Sequence, residues 1–287
     1  MTTHPDSTPA TIDAALAALA ESKTEWAQLP ISLKLAYLDG LRERVDRVAE
    51  RWVEAAATAK GLPEGSPLRG EEWQIGPWAL AYILTPLART LQAVQDGTLA
   101  DLVEGRVRQR ADGQTVVRVM PTRASDRVLA SGLSVDVWME PGVTPEGLTD
   151  TMAAFYRQED PPGAVSLVLG AGNVSSIAPL DVLHMLYAEG SVVALKLNPV
   201  NAYLGPILRE VFEEFIESGY LRLLYGGADV GERLTRHDLV EAIHVTGSAA
   251  THDAIVYGTG PDAAVRKERD EPQIHTPVSS ELGGVSP

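Results

Sequence analysis

Apolar residues recur at helical spacing between Ala10 and Gly61: Ile12, Ala15, Leu16 and Leu19 make one stripe, and Leu33, Ala36, Leu38, Leu41, Val45, Val48, Trp52 and Ala55 a second. This period predicts two amphipathic helices. Their junction falls at Leu29-Pro30, because proline suits a first helical turn and disfavours helix at the residue before it. Another helical stretch, rich in Leu, Ala and Trp, runs from Glu71 to Gln95. After Asp96-Gly97 the period falls to two. Arg106 to Val119 alternates polar with apolar residues around Ala111-Asp112-Gly113-Gln114, which predicts a β-hairpin, and Leu133 to Met139 is a further extended piece ending at Pro141-Gly142.

From Gly163 onward strand and helix patterns alternate. Ala164 to Leu169 reads as a buried strand, Pro179 to Glu189 as a helix stopped by Gly190, Ser191 to Leu197 as a strand, and Tyr203 to Ser218 as a helix stopped by Gly219. Leu221 to Tyr225, a short helix from Val230, the strand Glu241 to Val245 and a helix from Ala249 continue the series. Such alternation implies right-handed crossovers and a parallel sheet covered on both faces, an α/β fold. The polar run Arg266 to Pro272 reads as a solvated loop, and Glu210, Glu213, Glu214 and Glu217 as a solvated acidic stripe on one helix face.

Composition narrows the function classes. The 287 residues carry 24 Lys and Arg against 39 Asp and Glu, a net charge of −15 that argues against nucleic acid or an anionic membrane surface as partner. With no cysteine, disulfides, thiolate metal sites and thiol catalysis are outside the reach of these residues. The start, Met1-Thr2-Thr3-His4-Pro5-Asp6, has no targeting pattern, and no window approaches the roughly 18 apolar residues of a membrane span. A cytoplasmic location is the expectation. The six histidines show no metal-ligand spacing, and Ser175, Ser176 and Ser248 lie in no Gly-x-Ser-x-Gly elbow.

The loop after the first parallel strand, Gly170-Ala171-Gly172-Asn173-Val174-Ser175, is two thirds of a dinucleotide fingerprint. The next strand ends Lys196-Leu197-Asn198-Pro199 and offers no acid for ribose hydroxyls, so an ordinary Rossmann site loses its second support. Taken in order, Asn173, the strand Val193-Ala194-Leu195-Lys196, the glycine loop Gly226 to Gly231, Val245-Thr246-Gly247-Ser248 and Glu281-Leu282-Gly283-Gly284 resemble the motifs of the aldehyde dehydrogenases. That resemblance implies N-terminal helices (1–104), an oligomerisation-type hairpin segment (105–140) and a Rossmann-like domain (141–287), with the catalytic domain and its nucleophilic cysteine beyond Pro287. It implies NAD or NADP as cofactor, an aldehyde or activated acyl group as substrate of the complete enzyme, and a homo-oligomer built through the hairpin.

Roles follow by position. Asn173 is implied as an oxyanion donor, whose alternative is loop capping. Glu281 is implied as a general base, whose alternative is a solvated strand end. The resemblance places Lys196 against the adenosine ribose, where the alternative is a snorkelling lysine. Thr246, Gly247 and Ser248 are implied at the pyrophosphate, although a serine there is also an ordinary N-cap. Gly226, Gly231, Leu282 and Gly283 complete the implied cofactor set. Pro199 stands where the family commonly has a ribose-gripping glutamate, which suggests tolerance of the 2′-phosphate of NADP. Two function classes are carried forward: the cofactor-binding half of an oxidoreductase, inactive by itself in thiol-dependent oxidation, and a non-catalytic dinucleotide-binding or assembly module.

Overall fold

The computed structural model describes residues 6–283, and Gly284 of the glycine pair lies outside them. The chain forms two compact units, one combining residues up to Thr85 with those from Asp160, the other taking Pro86–Glu159. Helix α1 (Pro9–Gln28) begins at Thr8, whose hydroxyl accepts from the Thr11 amide, and ends before Pro30. Helix α2 (Ile31–Ala59) buries Leu38, Leu41, Val45, Val48, Trp52 and Ala56 along one face. The predicted third helix is interrupted. It consists of α3 (Arg69–Trp73), a wide turn at Gln74–Trp78 with non-helical backbone at Gly76, and α4 (Ala79–Asp96). The cause is Gly76-Pro77: proline withholds an amide, and a Cβ at Gly76 would lie 3.1 Å from the Ser175 hydroxyl and 3.2 Å from Trp52 Nε1.

The smaller unit holds a three-stranded antiparallel sheet of β1 (Val107–Gln109), β2 (Thr115–Met120) and β3 (Val135–Trp138), with short helices α5 (Ala124–Leu129) and α6 (Leu148–Thr151). The hairpin expected around Asp112 is β1–β2, and the segment 105–140 lies wholly within this unit.

In the larger unit the alternating series is β4 (Val165–Leu169), α7 (Ile177–Tyr187), β5 (Val192–Lys196), α8 (Gly205–Val211), α9 (Glu213–Glu217), β6 (Leu221–Leu224), α10 (Ala228–Thr235), β7 (Ala242–Gly247), α11 (Ala249–Val256), α12 (Ala263–Glu268) and β8 (Val278–Leu282). All pairings are parallel and the strand order is β6-β5-β4-β7-β8. The order reverses between β5 and β7, on either side of β4, which makes the carboxyl end of β4 the switch point where ligands bind in such sheets. Two local expectations are corrected. The helix expected over Tyr203 to Ser218 is a 3₁₀ turn at Pro199–Leu204 followed by α8, which restarts at Gly205 with Pro206 in its first turn, and α9, the two parted at Phe212 with φ −101° and ψ 23°. Part of the polar stretch expected as loop is helix α12, an exposed element whose Arg266 guanidinium donates to the Tyr257 carbonyl at 2.6 Å.

The core joins the N-terminal helices to the sheet. Trp26 is fully buried, donates from Nε1 to the Leu186 carbonyl at 2.9 Å, and meets Tyr37, Tyr187, Phe215 and Tyr220 at ring separations of 5.0 to 5.9 Å. The acidic stripe is not simply solvated: Arg51 pairs with Glu210 at 2.7 Å and Arg44 with Glu214 at 2.9 Å, clipping α2 to α8 and α9.

Candidate functional site

A cleft of about 860 Å³ opens at the carboxyl ends of the parallel strands. Its floor is the β4–α7 loop. Gly170 donates its amide to the Lys196 carbonyl at 3.1 Å, and a Cβ there would lie 3.0 Å from that of Ala178. Gly172 faces Asn198 so closely that a Cβ would come within 2.9 Å of its side-chain carbon. Asn198 in turn accepts from the Val200 amide at 3.1 Å, and Asn201 donates to the Ala171 carbonyl at 3.0 Å. Behind the loop, Trp52 Nε1 donates to Ser175 Oγ at 3.0 Å and the Ser176 amide to the Ile75 carbonyl at 3.2 Å. The kink at Gly76 thus supports the loop from the helical side.

Register decides how the walls are divided. Lys196 is level with Leu169, Leu169 with Val245, and Thr246 with Glu281. Side chains alternate along strands, so Lys196 rises from the α10 face of the sheet and Glu281 and Thr246 from the α7 face. Lys196 is 8% exposed, and its ammonium has no hydrogen-bond or ion-pair partner among the described residues. Burial draws its pKa below the usual lysine value, and the carboxylates of Asp229 and Asp6 oppose that shift. An ammonium so placed retains three donors for a ligand.

On the far wall, Ser248 caps α11 by accepting from the Thr251 amide at 3.1 Å. The Thr251 and His252 amides also donate to the Ser248 carbonyl, while those of Ala249 and Ala250 have no acceptor among the described residues, and the helix dipole points its positive end at the cleft. Gly247 lines the cleft with nothing within 4 Å of where its Cβ would be. Helix α10 contributes Gly231, Glu232 and Thr235, and Arg236 follows it with its guanidinium 3.1 Å from Glu232.

Of the residues singled out from sequence, Asn173, Lys196, Gly231, Thr246, Gly247, Ser248, Glu281, Leu282 and Gly283 all line this cleft. Gly226 does not; its neighbour Gly227 does. Gly226 has φ +141°, and a Cβ there would run into the Val230 side chain, so this glycine is required by the β6–α10 turn. Asn173 and Glu281 are both exposed at the rim, with side chains uncommitted to other described residues.

The model of the aldehyde dehydrogenase family matches residues 139–287, more than half of the chain. The chain belongs to the aldehyde dehydrogenase family. A Fusarium aldehyde dehydrogenase is 31% identical over 107 residues, 37% of this chain and 22% of that protein. Among solved structures, an aldehyde dehydrogenase of Mycobacterium tuberculosis complexed with NAD+ superposes with a TM-score of 0.59 at 17% identity, covering 98% of this chain and 45% of its own. A glyceraldehyde-3-phosphate dehydrogenase of Methanocaldococcus jannaschii complexed with NADP gives 0.56 at 14% identity, covering 99% and 48%. These structures establish a shared aldehyde dehydrogenase fold, and the chain spans less than half the length of each.

Sequence reasoning missed several features of this aldehyde dehydrogenase family chain. Asn198, Glu232, Thr235 and Arg236 line the cleft without belonging to a recognisable motif. A buried polar group also went unseen. Asp181 on α7 accepts from the Thr246 hydroxyl at 3.0 Å and stands 3.6 Å from His244 Nε2, while His244 Nδ1 lies 2.8 Å from Ser279 Oγ. Asp181 beside it raises the His244 pKa above the ordinary 6.5, burial opposes the rise, and the charge of Glu281 adds to it. Its members lie 35 and 65 positions apart, too far for any local pattern. No helix among the described residues is long and apolar enough to cross a membrane.

Proposed function

We propose that this chain binds a nicotinamide dinucleotide, NAD or NADP, in the cleft above β4, as the cofactor-binding part of an oxidoreductase of the aldehyde dehydrogenase family. The observation that carries the reading is Lys196: a nearly buried ammonium without a partner among the described residues, set in a cleft whose opposite wall is a helix N-terminus. A buried lysine is costly unless something accepts its hydrogen bonds. Ribose hydroxyls fit that need, and a pyrophosphate fits the free amides of α11 and the bare Cα of Gly247. The cleft volume lies within the range of cofactor sites, roughly 300 to 1,000 Å³. Known structures of this fold have been solved with NAD+ and with NADP.

When bound, the dinucleotide supplies a hydride acceptor or donor. The residues of this chain do the rest. Lys196 and the amides after Ser248 bind and orient. Asn173, with its side-chain amide free at the rim, is suited to donate a hydrogen bond to an oxyanion, and Glu281, level with Thr246 on the α7 side, to accept a proton from water. Neither supplies a nucleophile. The 287 residues contain no cysteine, so thiol-dependent aldehyde oxidation is beyond them alone. The complete oxidation of an aldehyde, or reduction of an activated acyl group, requires a thiol from outside these residues.

Either nucleotide fits this reading. Pro199 removes one carboxylate from the ribose end, whereas Glu232, 3.1 Å from the Arg236 guanidinium, brings another to the same cleft. Calorimetric titration of the chain with NAD and with NADP tests both points. Saturable binding of one molecule per chain supports the proposal. Binding of NAD with none of NADP sinks the tolerance drawn from Pro199, and binding of neither sinks the function.

A further inference from the structure

The segment ahead of α1 brings a carboxylate to the Lys196 end of the cleft. Residues 6–8 cross the carboxyl end of β6: the Ser7 amide donates to the Tyr225 carbonyl at 2.9 Å, and the Tyr225 amide donates back to Ser7 Oγ at 3.0 Å. Thr8 then caps α1. Helix α1 is clipped to α10 by Arg233, which donates to Asp13 at 2.9 Å, with His237 Nε2 3.4 Å from the same carboxylate. Lys196 rises on this α10 face and is level with Leu224, the residue before Tyr225. The strap of residues 6–8 is therefore pinned next to the lysine, and its Asp6 is exposed. Asp229, in the first turn of α10, is exposed as well. Both carboxylates act on the Lys196 ammonium, opposing the fall in its pKa that burial causes.

The charge balance at this end decides what it can accept. Two cations line the cleft, Lys196 and Arg236, and the Arg236 guanidinium already faces Glu232 at 3.1 Å. With Lys196 holding the adenosine ribose hydroxyls, NADP places on one of them a phosphate of about −1.5 to −2 charge at pH 7. The single ammonium must then offset that phosphate against the carboxylates of Asp6 and Asp229. A bare ribose hydroxyl in NAD makes no such demand. The carboxylate that Pro199 takes away from the end of β5 is returned from a different element, the strap before α1.

We propose that Asp6, held against β6 by Ser7 and assisted by Asp229, is a specificity-determining residue that disfavours a 2′-phosphate, so that the chain admits both dinucleotides and binds NAD more tightly than NADP. The inference rests on the cofactor reading of the cleft and adds a direction to it. Asp6 touches no reacting atom and acts through its charge on the ribose end.

The test is calorimetric titration of NAD and NADP into the unaltered chain and into Asp6→Asn, Asp6→Glu and Asp6→Lys. Because Asp6 is exposed, all three variants should melt as the unaltered chain does. NAD should bind the unaltered chain more tightly than NADP. Asp6→Asn should tighten NADP binding roughly 3- to 10-fold and change NAD binding by less than about 2-fold, the scale of one exposed like charge removed from beside a phosphate. Asp6→Glu, which keeps the charge, should keep the original ratio of dissociation constants, and Asp6→Lys should move it further than Asp6→Asn. Equal affinities or a preference for NADP in the unaltered chain overturn the proposal, as does a ratio that Asp6→Asn leaves unmoved. Those results, with NAD still binding, leave the cofactor reading standing; binding of neither dinucleotide sinks both.

Discussion

Replacing Lys196 with methionine separates a binding role from a structural one, because the two predict opposite signs. The side chain is 8% exposed with no described partner, and burial holds its pKa below the lysine norm. In the ligand-free chain the ammonium therefore sits in an unfavourable place, and methionine, of similar length and apolar, removes that cost. Thermal unfolding of Lys196→Met should occur at the same temperature or higher. Binding should suffer. A hydrogen bond to a charged donor contributes about 1.5 to 3 kcal/mol, and at 1.4 kcal/mol per decade this predicts a dissociation constant raised about 10- to 150-fold. Titration following quenching or transfer from the reduced nicotinamide would measure it, with differential scanning fluorimetry on the same samples. A variant that melts earlier while binding dinucleotide unchanged would show that Lys196 supports the strand and does not touch the ligand.

Three further outcomes follow from the same geometry. Gly226→Ala forces a side chain onto a backbone with φ +141° against Val230; it should cost roughly 1 to 3 kcal/mol in denaturant unfolding and weaken dinucleotide binding by shifting Gly227. Ser248→Ala removes the cap on the Thr251 amide and should cost about 1 kcal/mol locally, seen as faster amide exchange through α11 together with weaker binding. Lys34, buried against Trp26 and donating to the Ala27 carbonyl, has its pKa pulled down from 10.5 to about 8 by burial. Between those values the unfolded chain binds the extra proton, so stability should rise with pH from about 8 to 10.5. Lys34→Met should flatten that slope, and an equal slope in the variant would contradict the burial argument.

Features with local causes were readable from the sequence. Pro30 placed the α1–α2 junction, Gly190 and Gly219 marked helix ends, and the alternation after Gly163 announced a parallel sheet. The cleft was legible because its walls are strand ends and the loops that follow them, and motifs there are contiguous in sequence. What stayed hidden depends on distant partners. Helical periodicity spans Glu71 to Gln95, but the chain must bend at Gly76 to meet Trp52 and Ser175. The acidic stripe of α8 and α9 looked solvated because Arg44 and Arg51 lie more than 150 positions away. His244 looked like an isolated histidine until register set it beside Ser279 and packing set it against Asp181.

Hydrogen exchange of the chain with and without saturating NAD or NADP tests the central claim most directly, since it reports both whether a dinucleotide binds and where. Protection should concentrate in the loop at 170–173, the end of β5 at Lys196, the junction at 246–248 and the start of α11, with the sheet core unchanged. No protection with either dinucleotide at millimolar concentration, or protection confined to the unit formed by Pro86–Glu159, would contradict the assignment of this cleft as the cofactor site.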